Sequence, residues 1–441
     1  MSETIYALAS GAGRAGVAII RISGPQAGEA LVLLTGRSLP EPRLAARRRF
    51  ADPLTRESID DGLALWFPGP ASFTGEDVVE FHIHGGRAVA SGLLDALGRI
   101  EGLRMAEAGE FTRRAFLNGK LDLTEVEGLA DLIDAETTVQ RRQALRQMEG
   151  ALGALYEDWR GRLIRLLAYL EAEIDFSEDV EGEDPAGRVL PGIDELRDEL
   201  QRHLDDGGRG ERLRNGIEIA VVGPPNAGKS SLVNRLAARE VAIVSAEAGT
   251  TRDLIEVRLD MAGVPVTLVD TAGLRDSESA IEQEGVRRAK ARAKAADLAI
   301  RLAAIEPDGS ILGGFADAVE GDLKVLNKID RGGTAPAGDV LAVSVVTGEG
   351  LDGLIAALEA RVAELAHLSD QPLLTRARHR EGVTLCMEAL SRAGMAARRG
   401  LDLELVAEDL RLSARALGRL TGRIDVEDLL DVVFRDFCIG K

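Results

Sequence analysis

The sequence predicts a multidomain protein of mixed α/β plus α class. It comprises an α+β domain at the N-terminus, a helical bundle split in sequence, and an α/β domain with a phosphate-binding loop inserted between the two helical arms. Three observations predict this: apolar periodicity changes sharply near residue 119, helical periodicity returns near residue 372, and GPPNAGKS (223–230) lies directly between a strand-like run and a helical one. In residues 1–118, VAIIRISG (17–24), LALWFPGP (63–70) and VVEFHIHGG (78–86) read as strands ended by Gly or Pro turns, with AVASGLLDALGRI (88–100) as a helix. Residues 119–214 are helical. Leu152, Leu155, Trp159, Leu163, Leu166, Leu170 and Ile174 recur at three- and four-residue steps as one apolar stripe, and SEDVEGEDPAG (177–187) interrupts the pattern as a polar loop. In residues 215–371 the runs IEIAVVG, VTLVD, KVLN and VLAVS alternate with helical stretches, which implies a mostly parallel sheet. Residues 372–441 are helical again.

Composition excludes several classes. The 441 residues carry 73 acidic and 54 basic side chains, a net charge of -19, so the molecule as a whole is not a basic polyanion binder and any nucleic-acid contact is local. The acidity resides in residues 119–214 (-11) and 215–371 (-8), whereas residues 1–118 (-1) and 372–441 (+1) are near neutral. Two cysteines, Cys386 and Cys438, cannot build a disulfide framework or a cysteine-rich zinc site. No apolar run reaches the roughly 18–20 residues of a membrane span, and MSETIYALAS lacks the features of an export signal, so a cytoplasmic location is expected.

GPPNAGKS matches the strand–loop–helix phosphate-binding pattern. Its glycines let backbone N–H groups curl around phosphate oxygens, Lys229 reaches the terminal phosphates and Ser230 offers a hydroxyl to Mg²⁺. NKID (Asn327, Lys328, Ile329, Asp330) selects the base: the Asp330 carboxylate can accept from both N1–H and the exocyclic amine of guanine, a donor pair that adenine lacks. DTAG (Asp270, Thr271, Ala272, Gly273) suits a water-mediated Mg²⁺ contact through Asp270 and a γ-phosphate contact through the Gly273 N–H. AGTTRD (248–253) occupies the switch position, where Thr251 would complete Mg²⁺ coordination, and SVVTGEG (344–350), beginning at Ser344, would close over the guanine. These motifs in this order define a P-loop GTPase domain. Leu274 follows the switch glycine and cannot orient water, so hydrolysis needs another group, with Glu278, Glu282 and Glu284 downstream as candidates.

Beyond the nucleotide motifs, the chain carries RISG (21–24), SFTGEDVVE (72–80), GEFTRRAFLNGKLDL (109–123) and a terminal FCIGK (437–441). In these segments it resembles the MnmE (TrmE) family of tRNA-modification GTPases along essentially its whole length. The resemblance implies an N-terminal folate-binding-like dimerisation domain (1–118), a helical domain in two parts (119–214 and 372–441) and a GTPase domain (215–371). It implies a homodimer working with the FAD-containing partner MnmG (GidA). Together they would install a carboxymethylaminomethyl or aminomethyl group at carbon 5 of the wobble uridine of certain tRNAs, with a 5-formyl- or methylene-tetrahydrofolate derivative as one-carbon donor. It further implies potassium-stimulated hydrolysis, with K⁺ held by Asn226, Ser245, Glu247 and Thr250. The nucleotide shell then includes Asn226, Ala227, Gly228 and Ser231 together with Ser245, Ala246, Glu247, Ala248, Gly249 and Thr250. Glu282 matches the glutamate that positions the attacking water. Arg21, Glu80, Lys120 and Lys441 match the folate site, and Cys438 takes a redox or structural place.

The chain departs from the family in two places. EPDGSILGG (306–314) follows the strand before NKID, and the closing loop reads Ser344, Val345, Val346 in place of Ser-Ala-Lys or Ser-Ala-Arg. Four of the seven lysines, Lys120, Lys229, Lys328 and Lys441, fall in expected sites of a chain with 47 arginines. The competing reading is a non-enzymatic GTP-dependent switch in ribosome assembly, which would need no folate residues.

Overall fold

The computed structural model describes residues 3–175, 185–239, 256–270, 295–316, 318–332, 338–366 and 372–424, and residues 430, 433, 434, 437 and 440 near the C-terminus. The chain forms two compact units: residues 1–130, 147–161 and 414–441 in one, residues 131–146 and 162–413 in the other. Among the described residues no helix is long and apolar enough to cross a membrane.

The first unit is built on a six-stranded sheet of order β3-β4-β5-β2-β1-β6. Its strands are β1 (Thr4–Leu8), β2 (Ala15–Ser23), β3 (Ala46–Ala51), β4 (Ser58–Phe67), β5 (Val78–Gly85) and β6 (Leu103–Met105). All pairs are antiparallel except β1 with β6. Alternation decides which face is core. On β5, Val79, Phe81 and Ile83 are buried, while Glu80 and His82 point to the other face. The buried set packs with Ile20, Ile22 and Phe50 and with Leu31 and Leu34 of α1 (Ala27–Thr35) and Leu93 and Leu97 of α2 (Arg87–Leu97). Two glycines bring the C-terminal residues onto this unit. At Gly109 (φ 67°) a Cβ would press on Phe434 and Phe437, and at Gly440 (φ 100°) it would meet the Leu8 carbonyl. Leu123, Val126, Leu430, Phe434 and Phe437 form the resulting small core.

The second unit holds the α/β domain. Its sheet runs β13-β12-β10-β7-β9-β8, with β11 beside β10. The strands are β7 (Ile217–Val222), β8 (Glu256–Met261), β9 (Val264–Asp270), β10 (Leu298–Ile305), β11 (Ile311–Leu312), β12 (Leu323–Asn327) and β13 (Val340–Ala342). The neighbours from β13 to β9 are parallel, as the alternating strand and helix pattern requires, and β8 and β11 are antiparallel additions. Near-continuous burial along β9 and β10 fits strands covered on both faces. Leu232, Val233 and Leu236 of α9 (Lys229–Arg239) and Leu351, Leu354, Leu358 and Val362 of α10 (Leu351–Ala366) complete the core.

The helical arms before and after the α/β domain meet in α7 (Pro185–Leu204) and α11 (Ala377–Arg398), where Gly394 lies against Ile193. Helix α7 takes in Pro185, Ala186 and Gly187, residues of the segment expected to be loop, and proline is tolerated in the first turn of a helix. In α6 (Ala151–Asp175), Leu152, Trp159, Leu163 and Leu170 are buried as the stripe predicts, yet Leu155, Leu166 and Ile174 are only half-buried and Tyr156 is fully buried.

Candidate functional site

The nucleotide loop leaves β7 and enters α9, so the helix directs its positive end at the loop. Gly223 has no room for a side chain, since a Cβ would strike the Leu302 carbonyl. Asn226 (φ 63°) and Gly228 (φ 97°) take the left-handed conformation that curls the loop. The Lys229 ammonium is buried and donates to the carbonyls of Gly223 at 2.8 Å and Pro224 at 2.9 Å. Burial pushes its pKa down, and the negative charge of Asp270 opposes that fall. Asp270, itself buried, ends β9 opposite Val221 of β7. The half-buried Ser230 hydroxyl at the start of α9 and the Asp270 carboxylate are hard oxygen donors, the chemistry that Mg²⁺ prefers. Asn226 and Ser231 are exposed at the loop and the first helical turn.

The NKID segment is tied to this loop through Asn327. Its buried side chain donates from Nδ2 to the Ala227 carbonyl at 2.8 Å and accepts at Oδ1 from the Val345 N–H at 3.2 Å. One amide thus joins the phosphate loop, the end of β12 and the closing loop. Ser344, fully buried, donates from Oγ to Asp330 Oδ1 at 2.6 Å and accepts from the Thr347 N–H at 3.1 Å, which fixes the exposed Asp330 carboxylate. The departure at Val345 does not disturb this tie, because the loop is held through its backbone N–H, and Val346 is 81% exposed. Lys328 takes φ 66° and extends its ammonium to Glu306 Oε1 at 3.4 Å.

No sequence motif points to Glu306 as a site residue. It opens the EPDGSILGG departure, which folds as a hairpin pairing Ile305 with Ile311, closed by the Glu306 N–H on the Ser310 carbonyl at 2.9 Å. Residues 245–251, Thr271, Ala272, Gly273, Glu278, Glu282, Glu284, Cys438 and Lys441 lie outside the described residues.

In the first unit, Arg21 and Glu80 face each other across β2 and β5. Arg21 donates from Nε at 3.0 Å and Nη2 at 2.8 Å to Glu80 Oε1, with the guanidinium 5.4 Å from the Phe73 ring and 5.9 Å from the Phe111 ring. His82 Nε2 lies 3.4 Å from Glu80 Oε2. Lys120 donates to the Pro70 carbonyl at 3.0 Å, and its stem runs beside Gly75, so it flanks the loop that carries Phe73. Phe73, Phe111 and His82 join the set only in three dimensions. They sit inside SFTGEDVVE, GEFTRRAFLNGKLDL and VVEFHIHGG, the same segments that carry or flank the expected residues.

A Gly-rich loop between β7 and α9, a buried Asp270 at the end of β9 and an Asp330 held by Ser344 of the closing loop are the arrangement of a P-loop GTPase domain. The family model described as the MnmE helical domain matches residues 123–438, and that described as the GTP-binding protein TrmE N-terminus matches residues 4–120. The tRNA modification GTPase MnmE of Parvibaculum lavamentivorans is 64% identical over 440 residues, covering 100% of both chains. The human mitochondrial 5-taurinomethyluridine-[tRNA] synthase subunit GTPB3 is 50% identical over 469 residues, covering 99% of this chain and 93% of its own. The chain belongs to the MnmE (TrmE) family.

Proposed function

We propose that this chain is a potassium-stimulated GTPase that acts with an FAD-containing MnmG (GidA) partner on the wobble uridine of certain tRNAs. Together they install a carboxymethylaminomethyl or aminomethyl group at carbon 5, with a tetrahydrofolate one-carbon donor. GTP hydrolysis in tRNA modification is the family's activity, and the names of the relatives support uridine as the base modified. The observation that carries the folate part is the Arg21–Glu80 pair beneath Phe73 and Phe111. A guanidinium and a carboxylate suit the carbonyl and N–H edge of a pterin, and the two rings offer apolar faces. Lys120 and Lys441 would add cations for the glutamate tail.

Bound Mg²⁺ would supply charge neutralisation at the phosphates, with Ser230 and Asp270 (through water) as its holders and Thr251 as the third. Lys229 binds and orients the terminal phosphates, and Glu282 positions the attacking water. Potassium would sit on Asn226, whose side chain is exposed at the loop, with Ser245, Glu247 and Thr250. The functional division of the chain is 1–118, 119–214, 215–371 and 372–441, with two N-terminal domains pairing in a cytoplasmic homodimer. Comparing tRNA nucleosides from cells with and without the gene tests the reading, and unchanged wobble uridines would refute it. Replacing Na⁺ by K⁺ should raise GTP turnover several-fold, and equal rates would refute the potassium site.

A further inference from the structure

We infer that the edge strand β3 and the turns flanking it form a docking surface for the phosphate backbone of RNA. The inference rests on the tRNA reading above and names the surface that reading lacks. Residues 37–57, β3 with its flanking turns, contain six arginines, Arg37, Arg43, Arg47, Arg48, Arg49 and Arg56, against three acids, Glu41, Asp52 and Glu57, within a chain of net charge -19. The sheet order places β3 at its end, with β4 as its single neighbour. Alternation sends Phe50 into the core with Arg48 half-buried on that side, and turns Arg47 and Arg49 outward, roughly 6.6 Å apart at two residues of strand rise.

These cations are not consumed by internal pairing. The Arg37, Arg47 and Arg56 side chains have no ion pair or hydrogen bond among the described residues. Arg49 meets Asp61 at 3.2 Å with 70% of its side chain exposed, a contact weak enough to exchange for a phosphate. Arg43 donates to the Ala71 carbonyl, a neutral partner that leaves its charge unbalanced. Arg56 (φ 61°) is set by a turn in which Asp52 Oδ1 accepts from the N–H groups of Leu54 and Thr55 at 2.9 Å each. Of the two acids in this turn, Asp52 is itself paired with Arg99, and Glu57 closes the turn through its carbonyl on the Asp52 N–H at 2.9 Å.

Charges on an edge strand also guard against edge-to-edge pairing, but that purpose needs no charge off the strand. Arg37, Arg43 and Arg56 lie outside β3. A row of planar guanidinium forks in which only Arg49 meets an acid, and that one at an exposed contact, matches phosphate oxygens in geometry as well as sign.

The test uses the full chain and a fluorescent tRNA transcript with an unmodified wobble uridine. Binding is titrated across salt for wild type, for Arg47→Ala/Arg49→Ala/Arg56→Ala, and for a control removing the same charge from exposed helical positions, Arg141→Ala/Arg142→Ala/Arg165→Ala. The edge variant should bind at least about tenfold more weakly near 0.1 M salt, with the log–log salt slope smaller by about 2, at unchanged basal GTP turnover; the control should bind as wild type does. Equal loss in both variants would reduce the effect to net charge and overturn the inference. Wild-type affinity in the edge variant would leave the arginines as edge guards and overturn it, while the tRNA reading stands. No tRNA binding by wild type would overturn the inference, and the nucleoside comparison then decides the tRNA reading separately. Lost modification in cells with tRNA affinity intact would assign the strand, with the exposed Leu44, Leu54 and Leu63 beside it, to an acidic protein partner instead.

Discussion

Asn327 joins the phosphate-type loop to the closing loop, and truncating it removes both hydrogen bonds of that link. In Asn327→Ala the Ala227 carbonyl loses a 2.8 Å donor and the Val345 N–H a 3.2 Å acceptor. Each buried group left unpaired costs about 1–3 kcal/mol. The Val345 end is only half-buried, so water recovers part of its bond and a total of about 2–4 kcal/mol follows. If the loss falls on loop geometry, about 3 kcal/mol weakens GDP by roughly a hundredfold at 1.4 kcal/mol per decade. If it falls on the folded domain, the melting temperature drops instead. Gly228→Ala supplies the second arm of the test, since its Cβ would occupy the place of the same Asn327 amide and its φ of 97° disfavours any side chain. The two substitutions act on one contact, so the double variant should lose less than the sum. Calorimetric titration of GDP into each variant, with thermal unfolding alongside, checks both. Wild-type affinity and melting temperature in Asn327→Ala, or strict additivity in the double variant, would refute the reasoning.

Ser344→Ala frees the Asp330 carboxylate without removing it, so GDP should bind about five- to thirtyfold more weakly while guanine stays preferred over adenine; unchanged affinity would mean that Asp330 needs no such support. Glu306→Gln removes the 3.4 Å partner of the Lys328 ammonium at a half-exposed site worth at most about 1 kcal/mol. GDP should weaken up to about fivefold, less in high salt, and a salt-independent loss would contradict an ionic role. His203 is buried, and its pKa is pushed down to about 4, first by burial and then by the charges of His379 and Arg380, with Asp206 opposing. It is neutral when folded and takes up a proton near 6.5 when unfolded, so its contribution is intact above pH 6.5 and is lost as pH falls toward 4, up to about 3 kcal/mol. Melting curves from pH 7 to 4.5 should fall less steeply for His203→Gln than for wild type, and parallel curves would exclude His203 as the cause.

The nucleotide site was legible because its chemistry is written in contiguous residues: GPPNAGKS and NKID each place several groups by local backbone geometry alone. The order of these motifs along the chain predicts that they converge. It does not predict that Asn327 bonds Ala227, a residue 100 positions away, because that depends on β10 intervening between β7 and β12 in the sheet. Strand β3 escaped the reading because ARRRFA places a single large apolar side chain, Phe50, in the core and offers almost no alternation to detect. Strands β8 and β11 escaped because each is an antiparallel addition to a parallel sheet, held by its partner's register more than by its own composition. The α6 stripe located a face correctly, but periodicity does not say how widely neighbours cover it, so Tyr156 at its margin is buried while Leu155 and Leu166 remain half-exposed.

The unequal use of 47 arginines and seven lysines becomes intelligible at the level of acceptors. Arg21 makes two bonds to one carboxylate oxygen and holds its plane within 6 Å of two rings, a fixed geometry that an ammonium cannot supply. Lys229 instead bonds two converging backbone carbonyls inside a loop whose Gly223 leaves no space for even a methyl group; a compact point charge fits there and a planar fork does not. Lys120 spans a glycine with its stem and reaches one carbonyl, and Lys328 reaches one carboxylate from a left-handed backbone. Where a cation must make paired bonds to one carboxylate while lying against aromatic rings, this chain uses arginine. Where the stem must lie along a surface or the charge must enter a crowded loop, it uses lysine. By that rule Arg21→Lys should damage the first site nearly as much as Arg21→Ala, because the lost geometry outweighs the retained charge; a tetrahydrofolate titration in which lysine restored near-wild-type binding would show that charge alone suffices.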